Sequence, residues 1–470
     1  RRELRAGYID YVKRRSFILG AGSGASGILW ICGMLTMYVA HDPTSGAIHK
    51  LVRGGYYDVF RAAFLICFWQ LMFGVLQFTW RRAGIDFNTA LGTPRACCYT
   101  SSLTVAYSSL IGVIFLFVLF IMELLSPGFF PTPSRVIPLF ALIFPVALLL
   151  WPSDRPPMFF FTAPGDAAFR RFLTVEAFFV LASPFSKVTF LRTFIADILC
   201  SMPKLLIDIT TSVCLYGATC EAEFKGHLGA FLGAFPFCVR LAQSLRAARD
   251  AALEGGEEAS ASQKKNILNA AKYSASILLV AVSFAKSKTT TGDAEFEWLS
   301  RAWLILSVGC TLANFTWDVV NDWNLGGLRV DSLDKIAKEA SRARAAELAP
   351  SQVSRPGSSA SLALSTWLGQ HPVGRAFPLW VYIGAVPLNA LLRFGWAIYV
   401  SPNQKVVAEH TVLLLAAAEL TRRAVWALLR IEWENSKRIA IVVGQAVPPT
   451  LQPVQEGSVE VEVNTTYHYN

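Results

Sequence analysis

Charge inside two apolar runs restricts this chain more than any other feature. Residues 387–400 read PLNALLRFGWAIYV, and residues 410–435 read HTVLLLAAAELTRRAVWALLRIEWEN. Arg393 interrupts the first run, with Trp396 one helical turn on. Glu419, Arg422 and Arg423 interrupt the second, with Trp426 a further turn on. Spacings of three and four residues put Glu419, Arg422, Arg423 and Trp426 on roughly one side of a helix. An arginine at the bilayer centre costs about 2.5–3.5 kcal/mol on the insertion scale, so three facing lipid would cost roughly 8–10 kcal/mol. These guanidinium groups must therefore turn inward, toward partners or a water-filled path. Arginine stays charged and forks its donors toward oxyanions. The pattern implies an anion pathway through a bundle of membrane helices.

Composition supports that class. The chain has 470 residues, is 53% hydrophobic and only 16% charged, and its mean hydropathy is +0.42. A soluble domain is about 25% charged. The expected fold is all-α and polytopic, with about ten transmembrane helices at 16–40, 58–80, 103–126, 135–152, 188–218, 227–248, 267–286, 296–320, 378–400 and 407–430. A shorter helix at about 165–183 reads as interfacial or re-entrant. Pro145 should kink the fourth span. The loops that carry most Lys and Arg then fall on one side, which places both termini in the cytoplasm. The net charge of +10 belongs to those loops, and no nucleic acid partner is implied. Three regions follow: 1–160, with an N-terminal cytoplasmic segment and four scaffold or dimer helices; 161–440, with six path-lining helices; and 441–470, a disordered cytoplasmic tail. Cys214 and Cys220 could pair as a disulfide, although membrane cysteines mostly serve as packing. The nine cysteines show no metal-ligand spacing. The chain opens on Arg1 without a signal peptide, and a preceding domain stays open.

Polar groups cluster in the last six spans and are nearly absent from the first four. Asp197 lies in FIADILCSMPKLLIDIT, Arg240 in RLAQSLRAARD, Lys272 and Tyr273 in KNILNAAKYSASILLV, and Asp318 and Asp322 in NFTWDVVNDW. Each has a plainer reading. Arg422 and Arg423 could snorkel to the interface. Lys272 could mark a span end, and Asp318 and Asp322 could cap a helix exit. Asp197 could serve an ion pair, as could Glu419 with an arginine. Trp396, Tyr273 and Trp426 could be packing residues. Together they suit a hydrated oxyanion, which needs Arg, Lys and Tyr donors to replace lost water and nearby carboxylates to permit release. No nucleophile–base pair, metal set, cofactor motif or phosphate loop stands out, so an enzyme is not expected.

The strings PFSKVTFLRTFIADILCSM, PFCVRLAQSLRAARD, LNAAKYS, TWDVVNDWNLG, LLRFGWAIY and ELTRRAVWALLRIEWEN resemble, in this order, those of the EXS family of animal, plant and fungal phosphate exporters. The resemblance covers about 165–438 well and the first four spans loosely. It implies export of inorganic phosphate through a path between the last six helices, at the plasma membrane or the Golgi. The phosphate contacts it implies are Asp197, Arg240, Lys272, Tyr273, Asp318, Asp322, Arg393, Trp396, Glu419, Arg422 and Arg423. Membrane lipids and a homodimer through the first helices are the expected partners. Inositol pyrophosphate would join them only if an SPX domain preceded this chain. The alternatives are a Golgi protein that recycles phosphate or helps retain Golgi enzymes, and an exporter of another anion. One departure is visible: the aspartate segment continues Ile198-Leu199-Cys200-Ser201, where the family usually carries a glutamine.

Overall fold

The computed structural model describes residues 55–93, 99–125, 135–150, 166–217, 221–290, 292–325, 375–395 and 409–446. Within them the chain is helical throughout. The order is α1 (Tyr56–Arg82), α2 (Phe87–Leu91), α3 (Tyr99–Leu125), α4 (Val136–Leu150), α5 (Asp166–Leu181), α6 (Phe190–Leu199), α7 (Pro203–Tyr216), α8 (Ala222–Glu254), α9 (Glu257–Lys288), α10 (Ala294–Trp317), a π-helical turn (Asp318–Asp322), α11 (Leu379–Arg393) and α12 (Glu409–Ala446). Five helices (α1, α3, α8, α9 and α10) are long and apolar enough to cross a membrane, and the bent pair α6–α7 makes a sixth. Two more apolar helices, α4 and α11, are shorter. Of the ten expected spans, the one at 16–40 lies outside the described residues. The protein is a multi-pass, all-α membrane protein.

Helices α1, α3 and α4 form one packed unit. Phe60 meets Phe117 edge to face at 4.9 Å, and Tyr57, Val113, Phe120 and Ala141 complete that core. Gly112 lets α3 and α4 close up, because a Cβ there would stand 2.2 Å from the Phe144 ring. The outer faces of α3 and α4 expose Phe115, Phe140, Ile143 and Leu150, as a lipid-facing surface should. Pro145 lies inside α4, and Gln70 of α1 donates to the Pro145 carbonyl at 3.0 Å.

Three expectations change. The span at 188–218 is not one helix: α6 and α7 meet at a 65° bend across 200–202. Pro203 occupies the first turn of α7, where its missing N–H costs nothing, whereas inside a continuous helix it would remove a hydrogen bond. The last helix does not stop near 430 but runs 38 residues to Ala446. Its final turns are held by interleaved charge, with Arg430, Lys437 and Arg438 all paired to Glu434. Finally, the first spans, expected to be nearly without polar groups, hold a buried ion pair. Arg61 on α1 is buried and bonds Asp208 on α7 with both Nε and Nη2, at 2.8 Å each. Asp58 and Lys204 join that cluster. A lone Arg61 in an apolar run escaped notice because its partner lies 147 positions away.

Candidate functional site

Helices α6 to α12 surround one cavity of about 920 Å³. On α9 its lining runs from Ser262 to Ser287. Twenty-five residues of helix are about 38 Å long, more than the roughly 30 Å of a bilayer's hydrocarbon core. Ten of the eleven residues expected from sequence line it: Asp197, Arg240, Lys272, Tyr273, Asp318, Asp322, Arg393, Glu419, Arg422 and Arg423. Trp396 lies outside the described residues. The lining holds eight Lys and Arg side chains against five carboxylates, so an anion finds a net attraction.

The cations divide by what holds them. Arg240 on α8 gives Nε to Asp197 on α6 at 2.7 Å and Nη1 to Gln243 at 2.7 Å. The Tyr273 hydroxyl donates to the same Asp197 oxygen at 2.8 Å. Arg422 is bidentate to Glu419, at 2.7 and 2.5 Å, and reaches Asp318 and Asn389 at 3.4 and 3.2 Å. Arg393 bonds Asp318 through Nη2, and its Nε is buried without a hydrogen-bond partner. Arg430 sits beside Asp322 and Glu434.

Lys272 and Arg423 are different. Neither forms an ion pair within 4 Å with a carboxylate of the described residues. The Lys272 ammonium lies between the Tyr273 and Trp317 rings, 4.5 and 4.6 Å from their centroids. The Arg423 guanidinium lies over Trp426 at 4.5 Å, and its Nε donates to Ser201 Oγ at 2.8 Å. Ring faces orient a cation while leaving its charge uncancelled. Lys272 therefore keeps its donors for a ligand.

The backbone aims these groups. The α6–α7 break puts Ser201 beside Arg422 and Arg423, with Arg422 Nη2 at 3.4 Å. A π-turn, which often marks a functional site, carries Asp318 and Asp322 to the cavity. Trp426 donates to Asp322 at 2.9 Å and stacks on Phe194 at 5.7 Å, so it both packs and positions. Burial also decides the plainer readings for two arginines: Arg422 and Arg423 are 2% and 8% exposed, so neither snorkels.

Sequence reasoning missed Ser201, Gln243, Trp317, Asn389 and Arg430. Arg430 had a signal, since it lies seven residues beyond Arg423 on the same face of α12. Gln243 likewise follows Arg240 by three. Asn389 had none beyond being polar in an apolar run. Away from the cavity, Cys214 is disulfide-bonded, and Cys220 lies outside the described residues.

A sequence model described as the EXS family matches residues 56–436. Human Solute carrier family 53 member 1 is 24% identical over 422 residues, which are 83% of this chain and 51% of that protein. SPX and EXS domain-containing protein 3 of Dictyostelium discoideum is 25% identical over 295 residues, 60% of this chain and 27% of that one. Protein SYG1 of Saccharomyces cerevisiae is 24% identical over the same length, covering 60% and 28%. The chain thus spans about half, or less, of the length of these curated relatives.

Proposed function

The chain belongs to the EXS family, and from that premise we propose that it carries inorganic phosphate across a membrane through the cavity between α6 and α12. The observation that carries this reading is a bilayer-length cavity whose middle holds two cations kept by ring faces instead of carboxylates. A phosphate entering it gains charge-assisted bonds from Lys272 and Arg423. The partnerless Arg393 Nε–H is a third donor. The Arg240, Arg393 and Arg422 guanidinium groups then exchange a carboxylate contact for a phosphate one. Asp197, Asp318 and Glu419 reclaim them as the anion leaves, which keeps binding weak enough for passage. The residue types suit a transporter and supply no nucleophile with its base, so chemistry on the phosphate is no part of the proposal.

The test is phosphate release from sealed vesicles containing the purified chain. Wild type should release it, and Lys272→Gln and Arg393→Gln should each slow release by tenfold or more, since a hydrogen bond to a charged group is worth about 1.5–3 kcal/mol. Wild-type rates in both variants, at equal protein content, would remove the pathway. Equal competition by sulfate would move the proposal to a general oxyanion carrier.

A further inference from the structure

We infer a second oxyanion station at Lys286, beside the end of the cavity that Ser283, Ser287 and Trp303 line. It rests on the phosphate pathway but uses a residue that pathway does not assign. Lys286 lies 14 residues beyond Lys272 on α9, and Trp303 lies 14 residues before Trp317 on α10. Helices α9 and α10 pack together and are joined by the short turn at 289–293, so they run antiparallel. Opposite offsets along antiparallel helices coincide in space. Lys272 Nζ is 4.6 Å from the Trp317 ring, and Lys286 Nζ is 4.8 Å from the Trp303 ring. Phe296 gives Lys286 a second ring at 5.4 Å, as Tyr273 does for Lys272 at 4.5 Å. A lysine held between two rings is therefore built twice, about 21 Å apart along the helix.

Fourteen residues are close to four helical turns, so both lysines project from one face of α9. Ser283, Ser287 and Trp303 line the far end of the cavity on that face. Lys286 forms no ion pair with a carboxylate of the described residues, so its charge, like that of Lys272, is open to an anion. Between the two stations the lining carries no charge and mixes Leu279, Val280, Ile207 and Phe237 with Ser276, Ser307, Thr311 and Asn314. An oxyanion crosses such a stretch more readily when a cation waits on each side. The outer lysine is partly exposed, so it binds weakly and releases to water. A single ammonium with serine hydroxyls beside it suits inorganic phosphate or another small tetrahedral oxyanion.

The experiment titrates inorganic phosphate into the whole chain in lipid nanodiscs, read by phosphorus NMR or calorimetry. Wild type should show two classes of site. Lys286→Gln should weaken or abolish the weaker class by about tenfold or more, the loss of one charge-assisted contact, while Lys272→Gln affects the tighter class and Lys286→Arg retains both. If Lys286→Gln leaves both classes as in wild type, Lys286 is an interfacial anchor among aromatic rings only, and the station is overturned. Phosphate release from wild-type vesicles separates the two ideas. Release with an unchanged Lys286→Gln titration sinks the station alone, and no release from wild type sinks the transport reading.

Discussion

Asn389 is the residue that best exposes how the cavity is kept in order. Its amide donates to Asp318 at 3.1 Å and accepts from Arg422 at 3.2 Å, in a site 1% exposed. Asn389→Leu should remove one hydrogen bond from each, leaving Asp318 with Arg393 and Arg422 with Glu419. A hydrogen bond to a charged group is worth about 1.5–3 kcal/mol, so phosphate release should fall about tenfold while the protein still folds. A vesicle assay beside a size-exclusion profile checks this. Trp317 acts on Lys272 in the same indirect way. Cation–π attraction of about 0.5–2 kcal/mol predicts a several-fold loss in Trp317→Leu and near-normal release in Trp317→Phe, read in the same vesicles. Charged residues clustered in the later apolar runs were legible at this scale, because their burial cost demands an explanation, whereas the lone Arg61 was not. Neutral supports such as Asn389 and Ser201 were not, because amides and hydroxyls are ordinary in membrane helices and only their partners mark them out.

Among elements, α7 is fixed from two sides. Gly229 and Gly233 of α8 approach Ile207, and the Arg61–Asp208 pair ties α7 to α1. Arg61→Leu would leave Asp208 buried without its main cation, at a cost of about 3–5 kcal/mol. We expect a clear drop in melting temperature in detergent, with recovery in the double variant Arg61→Leu/Asp208→Leu. The helices themselves were legible from apolar runs of membrane length. The bend at 200–202 was not, since Ser-Met-Pro within a hydrophobic stretch fits a kink as well as a break. What fixes the break is tertiary: Ser201 answers two arginines from a helix more than two hundred residues away.

For the molecule as a whole, the cavity's length makes a prediction independent of any ligand. Ser262 and Ser287 both line it, at opposite ends of α9. In a chain whose reactive native cysteines are replaced, Ser262→Cys and Ser287→Cys should each react with a membrane-impermeant thiol reagent, but from opposite faces of a sealed vesicle. Labelling of both from one face would mean that the cavity does not traverse the bilayer. Polytopic architecture and ten of the cavity residues could be read from sequence, because the cost of placing charge in lipid is local and large. The two ways of holding a cation, by carboxylate or by ring, could not, since they depend on which helices become neighbours.

The length of α12 has a mechanical corollary. Thirty-eight residues make a rod of about 57 Å, nearly twice the roughly 30 Å oily layer, and ordinary tilts of up to about 40° cannot hide the surplus. Part of it must stand clear as a handle. Arg422 and Arg423 sit on that same rod, so a twist or push applied to the handle outside reaches the two guanidinium groups directly, with no loop between to absorb it.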